Sequence, residues 1–360
     1  MEQLPLLGSI PAIYRNIFPS FFDSLVLPEV FATCANCAMT QNTVPTGAKF
    51  SKVTKCCTYY PSLPNYLVGA ILLDKDGVPE GVRRIESAIS SKITVSPVGI
   101  FPSRKYLALY FKSSSATFGR SESLMCPYFE QPTGLCTIWK HRESVCSTYF
   151  CKHVAGKTGS AFWGSFKQYM NYSQTSLVKH VLLTLNVPRA GSVVSHYFSN
   201  DYAHGNLSLA DVEDEFNEGR YRSMWGEWFG REREFYIRCF EIVSSLSKQQ
   251  FENILGVDEK YKLLDVAEKH ANVSNIPAVL AKTPILHRKT ADMENYVVIV
   301  PQSQIEVVIP IPLLDAFDGV KETSVIIEEV RALNGIDADP DVVLLLYHGG
   351  VLCAAENALK

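Results

Sequence analysis

The stretch CPYFEQPTGLCTIWKHRESVCSTYFC (residues 126–151) carries four cysteines and decides the organisation of the N-terminal half. Four more precede it, as the C-x-x-C pair Cys34 and Cys37 and the adjacent pair Cys56 and Cys57. A chain of this size with 47% hydrophobic residues can bury a large core without covalent staples, so clustered thiols indicate metal ligands rather than disulfides. The predicted metal ligands are Cys34, Cys37, Cys56, Cys57, Cys126, Cys136, Cys146 and Cys151.

The expected compartment agrees with thiol ligands. The first residues, MEQLPLLGSIPAIYRNIF, have no basic start, no unbroken apolar stretch and no small-residue cleavage site, so they do not resemble an export signal. We therefore expect a cytoplasmic protein. In that reducing compartment, a cysteine-rich pattern is more often a metal or catalytic site than a network of disulfides.

Charge and hydropathy argue against several classes of partner. The formal net charge is −3, the sequence pI is about 6.3, and Lys and Arg form no block. Neither nucleic acid nor a membrane is therefore expected as a partner. The longest apolar runs, such as VVLLLY near the end, are too short to cross a bilayer. Because the chain also lacks the glycine-rich phosphate-binding motifs, a conventional nucleotide enzyme is not expected.

The arrangement of the thiols suggests more than one site. Neighbouring side chains in extended backbone point to opposite sides, so Cys56 and Cys57 are expected to face different centres or to require a local turn. This favours two sites, or one site and a spare thiol. Eight cysteines would fill two four-thiolate sites, but their number alone does not divide them.

The order and spacing of the cysteines resemble a known family. The matching features are C-x-x-C, Cys-Cys, Cys126-Pro-Tyr-Phe, Gly134-Leu-Cys136-Thr-Ile-Trp139 and His141-Arg142-Glu-Ser-Val-Cys146-Ser-Thr-Tyr-Phe-Cys151. Over residues 34 to 155 the chain resembles the CxxCxxCC-type family of zinc- or iron-chelating cysteine-cluster proteins, the relatives of the flagellin lysine N-methylases. That family usually has Arg-Pro before the third cysteine of the burst, where this chain has Arg142 and Glu143. The resemblance implies a metal centre and a protein-modifying transferase.

The identity of the metal is open between two choices. The cysteines are unevenly spaced and lack the paired C-x2-C motifs of zinc ribbons, which favours an iron–sulfur cluster. A closed four-thiolate zinc site that only holds loops together is the alternative. His141 and His153 flank the cluster and are alternative ligands, although hydrogen-bonding roles are expected for both. Cys239 and Cys353 lie in apolar surroundings and are expected to be buried core thiols.

Composition divides the chain into three zones and predicts an α+β fold. Residues 1–155 form an irregular, metal-stapled domain that includes a buried strand, Tyr106 to Phe111. Residues 156–285 form a helical domain, with helices over Phe162 to Leu185, from Ser208 in two pieces to Ile242, and in two shorter segments to His270.

Residues 290–360 form a small winged-helix-like domain. It contains a hairpin of Tyr296 to Val300 and Ile305 to Ile309, three short helices and a closing strand at Val351 to Cys353. The second and third helices are predicted over Thr323 to Leu333 and Pro340 to Tyr347. The first covers Pro312 to Gly319 with the glycine as its stop. This part resembles peptide-recognition domains in which a peptide adds a strand to the hairpin edge, which implies a polypeptide partner.

Two functions are compatible with these features. The first is a metal-dependent protein-modifying enzyme, in which the cysteine zone holds the metal, the helical zone forms a cleft and the C-terminal zone grips a polypeptide substrate. The second is a non-catalytic, zinc-stabilised protein that binds a peptide or partner protein. No residue stands out as a catalytic acid, base or nucleophile, because the ligand thiolates would be committed to the metal.

Overall fold

The computed structural model describes residues 4–27, 34–41, 49–112, 117–151, 153, 155–188, 190–191, 194, 216–274, 277–284, 287–300, 306–336, 338 and 340–357. The helices are α1 (Asn65–Leu73), α2 (Pro79–Ser91), α3 (Arg104–Lys112), α4 (Ser144–Thr148), α5 (Gly156–Thr184), α6 (Glu218–Trp225), α7 (Glu232–Ser244), α8 (Lys248–Leu255), α9 (Val257–Ser274), α10 (Ile311–Ala316), α11 (Thr323–Asn334) and α12 (Pro340–His348). None of the helices in these described ranges combines the length and apolar character needed to cross a bilayer.

The strands are short and pair antiparallel. They are β1 (Leu4–Pro5), β2 (Val26–Leu27), β3 (Leu63–Pro64), β4 (Val95–Ser96), β5 (Gly99–Ile100), β6 (Phe129–Glu130), β7 (Leu135–Cys136), β8 (Val279–Lys282), β9 (His287–Lys289), β10 (Asn295–Ile299), β11 (Glu306–Pro310), β12 (Asp318–Glu322) and β13 (Leu352–Ala354). The three-stranded sheets have the orders β3-β5-β4, β11-β10-β9 and β12-β8-β13, while β1 pairs with β2 and β6 with β7. Small antiparallel sheets beside many helices confirm the α+β class.

Helix α1 is deeply buried. Its sequence NYLVGAILL is apolar on all sides, and every residue from Asn65 to Leu72 is buried, as expected of a helix surrounded by other elements. It packs against α7, and Gly69 permits their close approach: a Cβ atom at this position would lie 2.0 Å from the carbonyl oxygen of Tyr236. The absence of a side chain at one residue therefore sets the spacing of this helix pair.

Helix α5 runs through the centre of the larger core. It contacts α4, α7, α8 and α9, and the ring of Phe18 packs edge-on against its Tyr169. Gln174 donates from Nε2 to the hydroxyl of Tyr14 at 2.9 Å, and that hydroxyl shares a hydrogen bond of 2.8 Å with the hydroxyl of Tyr66. The N-terminal segment, α1 and α5 are thus tied by a buried polar network as well as by apolar packing.

The C-terminal part has its own apolar cluster. Buried residues from Leu280 to Leu352 form one hydrophobic cluster, whereas those from Leu6 to Val273 form another. The two parts meet where α12 contacts α5, and Thr158 Oγ1 is hydrogen-bonded there to His348 Nδ1. The further division of residues 1–285 into two domains stays a prediction.

Most predicted elements of the second half are confirmed. Strands β10 and β11 pair with Val297 opposite Val308, as the predicted hairpin requires. Helices α5, α8, α9, α11 and α12 match predicted helices to within a few residues, apart from a longer start of α5. The predicted helix start at Ser208 lies outside the described residues, but α6 and α7 cover most of the remainder of that segment.

Two predictions of secondary structure were wrong. Tyr106 to Phe111 is helical, because its aromatic residues follow a helical period: Tyr106 and Tyr110 stack with ring centroids 5.8 Å apart, one turn from each other. Gly319 does not stop a helix. It lies within strand β12 at a φ of +83°, a backbone conformation that favours glycine.

Candidate metal centre

The eight cysteines lie on turns and on short regular elements. Cys34 begins a 3₁₀ turn and Cys37 precedes another, while Cys56 and Cys57 lie in a tight turn. The later burst is carried by better defined elements. Cys126 precedes β6, Cys136 ends β7, Cys146 is in α4, and Cys151 follows that helix. Loops from three separate parts of the sequence therefore supply the thiols.

Four of these thiols form what we call the Cys151 group: Cys34, Cys37, Cys56 and Cys151. The side chain of Cys151 is hydrogen-bonded to those of Cys37 and Cys56. Cys34 interacts electrostatically with Cys56 and Cys37, and burial together with these neighbours raises its thiol pKa to about 11. The hydrogen bonds from Cys151 and Cys57 lower the pKa of Cys56, which favours a thiolate at the middle of this group.

The other four thiols form the Cys126 group: Cys57, Cys126, Cys136 and Cys146. The backbone N–H of Cys126 donates to the carbonyl of Cys57 at 2.9 Å, and β6 pairs with β7 so that Phe129 faces Cys136. Cys57 interacts electrostatically with Cys126 and Cys136, and so does Cys146. Burial raises the thiol pKa of Cys126, Cys136 and Cys146.

Arg142 is a cation placed among the thiols of both groups. Its strongest electrostatic partners are Cys136, Cys146, Cys34 and Cys56, which oppose the lowering of its pKa by burial. Its N–H groups donate to the carbonyl oxygens of Trp139, Cys146 and Ser9, and its guanidinium stacks 3.4 Å from the centre of the Trp139 ring. Arg142 is half-buried, and the thiolate favoured at Cys56 would offset part of its positive charge.

Glu143 caps the start of α4. In the cysteine-cluster family that the chain resembles, this position is usually a proline. Glu143 is buried and accepts hydrogen bonds from the backbone N–H groups of Val145 at 2.6 Å and Cys146 at 2.9 Å. Burial raises the pKa of this carboxyl, and the two backbone donors oppose the shift. The carboxylate caps a helix that a proline at this position would not cap, and it fixes the backbone of a predicted ligand.

Lys55 was missed by the sequence reasoning although it precedes the Cys-Cys pair. Its Nζ donates to the carbonyl oxygens of Cys34 and Gly134, each at 2.6 Å. It therefore ties the first cysteine pair to the later burst. Only its position beside Cys56 signals this role in the sequence, because the acceptors are distant backbone groups.

The other residues singled out in the sequence are two histidines, His141 and His153, and two cysteines, Cys239 and Cys353. His141 Nε2 donates to Asp74 Oδ2 at 2.9 Å, in agreement with the hydrogen-bonding role expected of it. His153 is half-buried and its ring lies 6.1 Å from that of Phe150. Cys239 is fully buried in α7, as predicted, whereas Cys353 is only partly buried because β13 is an edge strand of its sheet.

A cleft of about 380 Å³ is lined by residues that lie close in sequence to the later cysteines, although no cysteine is among its lining residues. One wall is the N-terminal segment around Ile10, and the other is formed by Trp139 to Arg142 together with Tyr149 and Phe150. Arg15, Lys140 and Arg142 line it with positive charge, against the single carboxylate of Asp74, and Trp139 and Tyr149 add aromatic surface. Burial lowers the pKa of His141, so this side chain adds no charge near neutral pH. The cleft therefore suits a small anion with an apolar or aromatic body.

The cysteines form no disulfides, and their arrangement is not that of a preformed metal site in the described part of the chain. All ten cysteines are free thiols, which agrees with the choice against disulfides. Among the residues that the structure describes, no three His, Cys, Asp or Glu side chains are grouped so as to hold a metal ion. Metal ligation thus stays a prediction.

Comparison with known proteins adds no relative. No family model matches the chain, and no curated protein or solved structure matches it. The resemblance to the cysteine-cluster family therefore rests on the motif alone.

Proposed function

We propose that this chain is a metal-binding cysteine-cluster protein whose ligands are the Cys151 group and the Cys126 group. The observation that carries the proposal is that thiols from three separate parts of the sequence interact with the guanidinium of Arg142: Cys34, Cys56, Cys136 and Cys146. Soft thiolate donors suit Zn²⁺ and iron–sulfur clusters, so the donor set fits either cofactor. Bound iron–sulfur would supply electron transfer, and bound zinc would supply folding energy.

We further propose that the metal-binding part belongs to a protein-modifying enzyme, such as one resembling a lysine N-methylase. In support, a cleft with charged and aromatic walls is lined by residues that lie between Cys136 and Cys151 in the sequence, so a small cosubstrate bound there would be near the predicted ligands. In the proposed transfer step, a methyl group would pass from the sulfonium of S-adenosylmethionine to the nitrogen of a lysine side chain. That nitrogen would lose a proton.

For a polypeptide substrate, the docking site that we propose is a strand edge in the C-terminal part. Strand β11 is at the edge of its sheet, and Val308 on it is 62% exposed. An added peptide strand would pair with the free backbone edge and place alternate side chains on either face. In the second candidate function, a zinc-stabilised binding protein would bind a peptide at this same edge without altering it.

The metal is tested by anaerobic purification, with an optical spectrum and elemental analysis of the full-length protein. We expect stoichiometric metal. Iron with acid-labile sulfide and a brown colour would identify a cluster, whereas colourless protein with zinc would identify four-thiolate zinc sites. Folded, fully reduced protein that carries no metal, and takes up neither zinc nor iron on reconstitution, would refute metal binding.

The enzymatic proposal is tested by incubating the same preparation with lysine-rich polypeptides and S-adenosylmethionine. We expect a mass increase of the polypeptide that requires the metal-loaded protein. Peptide binding without any mass change would favour the binding protein instead. Protein prepared with its metal removed provides the control, because it should leave the polypeptide unaltered.

A further inference from the structure

We propose that Phe216, Tyr221 and Phe229 form an aromatic cage that binds a methylated ammonium group, and that the ammonium of Lys92 occupies the same cage in competition with that ligand. None of the cysteines belongs to this cage. The inference therefore goes beyond the proposed metal centre and does not depend on it.

The three rings of the cage stand at steep angles to one another. Phe216 and Tyr221 have ring centroids 5.5 Å apart and an interplanar angle of 61°, while Tyr221 and Phe229 are 6.1 Å apart at 73°. Tyr221 is a buried residue of α6, and Phe216 precedes this helix. A 3₁₀ turn, Gly226–Trp228, follows the helix and leads directly into Phe229. A short stretch of sequence thus supplies all three walls of the cage.

The chain places one of its own cations among these rings. Lys92 follows the last residue of α2 with a φ of +59°. Its Nζ lies 5.5, 5.9 and 5.4 Å from the ring centres of the three cage residues, taken in chain order, which is within the range of cation–π interactions. Among the described side chains, no carboxylate oxygen lies within 4.0 Å of this ammonium. Rings that hold a cation without a carboxylate are the arrangement that recognises quaternary ammonium ligands.

The dimensions of the cage suit a methylated nitrogen better than a bare one. A bare ammonium can approach a ring to contact distance, which is about 3.5–4.0 Å between heavy atoms. Methyl groups add a bond of about 1.5 Å to the nitrogen, so a methylated nitrogen in contact would lie about 5 Å from each ring. The distances of Lys92 Nζ, 5.4 to 5.9 Å, are close to that value. The rings therefore leave space around the nitrogen that methyl groups would fill.

A ligand from solution can reach the cage and compete with Lys92. The side chain of Phe216 is 45% exposed, and those of Phe229 and Lys92 are half-buried. A lysine ammonium is a strongly hydrated charge on a flexible stem, so it regains water when it leaves the rings. The methyl groups of the ligand are apolar and gain from contact with the same rings. The exchange consequently favours the methylated cation.

Isothermal titration calorimetry of the full-length protein tests the cage, with a peptide that carries trimethyllysine and with choline as probes. Lys92→Gly removes the competing ammonium, and glycine suits the left-handed φ at this position. We expect this variant to bind the probes about tenfold more tightly than the wild type does. Phe216→Leu added to it should weaken binding about tenfold, because leucine fills space without a π-face. The probe that binds more tightly shows whether the ligand is part of a polypeptide or a free small molecule.

Lys262→Ala is the matched control, because Lys262 Nζ lies 5.3 Å from one ring alone, that of Tyr172. This variant should bind the probes no better than the wild type. Three results would overturn the proposal: no binding of either probe to folded Lys92→Gly protein, no effect of the added Phe216→Leu, or equal binding of choline and its neutral carbon isostere. The metal content should be the same in all these variants, so failure of the cage is distinguishable from failure of the proposed metal centre.

Discussion

Removal of the proposed metal by a chelator is expected to unfold the larger, N-terminal core and to leave the C-terminal cluster folded. The cysteine turns carry few regular elements, so the metal would supply much of their folding energy, by about 10 kcal/mol for a structural zinc site. The C-terminal part, from Leu280 to Leu352, packs around its own apolar residues and contains no predicted metal ligand. Its stability should therefore be largely independent of the metal.

The chain provides a direct measurement of this difference. All four tryptophans, Trp139, Trp163, Trp225 and Trp228, lie in the part that should unfold. Tryptophan fluorescence should consequently shift to the red on chelation, while hydrogen exchange of the amides in β10, α11 and α12 should stay slow. Native fluorescence and circular dichroism in metal-free protein would contradict the prediction.

Substitution of one predicted ligand should act in the same way. Cys146→Ser is expected to lower the metal content and the resistance of the tryptophan signal to urea, because Cys146 is a member of the Cys126 group. Cys353→Ser is the matched control, since this thiol is in β13, outside both groups. The control should keep the metal content of the wild type. Equal loss in both variants would show that the effect is not one of ligation.

The starts and ends of several C-terminal helices were predictable because local signals mark them. Pro310 and Pro312 bracket the start of α10, and Gly335, with a φ of +67°, ends α11. Such residues act through the local backbone, so a single sequence reveals them. The run from Tyr106 to Phe111 was misjudged for the converse reason: a short apolar stretch suits a strand and a buried helix alike, and only tertiary packing decides.

The candidate site was predictable in its composition but not in its arrangement. The cysteine pattern identified the thiols, and the adjacency of Cys56 and Cys57 indicated either different centres or a local turn, of which the structure shows the turn. The partners of each thiol depend on which loops meet in space. Likewise, Arg142 was visible as part of the motif, but its stacking on Trp139 and its position among both groups follow from the tertiary fold.

Gly69→Ala is expected to be among the most destabilising substitutions in the chain. The added methyl would lie 2.0 Å from the Tyr236 carbonyl oxygen and 2.9 Å from Cβ of Phe240, well inside contact distance. These atoms belong to a helix backbone and to a Cβ, which cannot rotate away as a flexible side chain does. Helices α1 and α7 would have to separate, at a cost of about 3 kcal/mol.

Gly164→Ala is the matched control for this effect. Gly164 lies in α5, and a Cβ atom there would meet nothing within 4 Å. Alanine should therefore stabilise α5 by about 0.5–1 kcal/mol, because it restricts the unfolded chain more than glycine does. Urea unfolding followed by far-ultraviolet circular dichroism should move the midpoint down for Gly69→Ala and slightly up for Gly164→Ala. Equal midpoints for Gly69→Ala and the wild type would mean that α1 and α7 are not in close contact in solution.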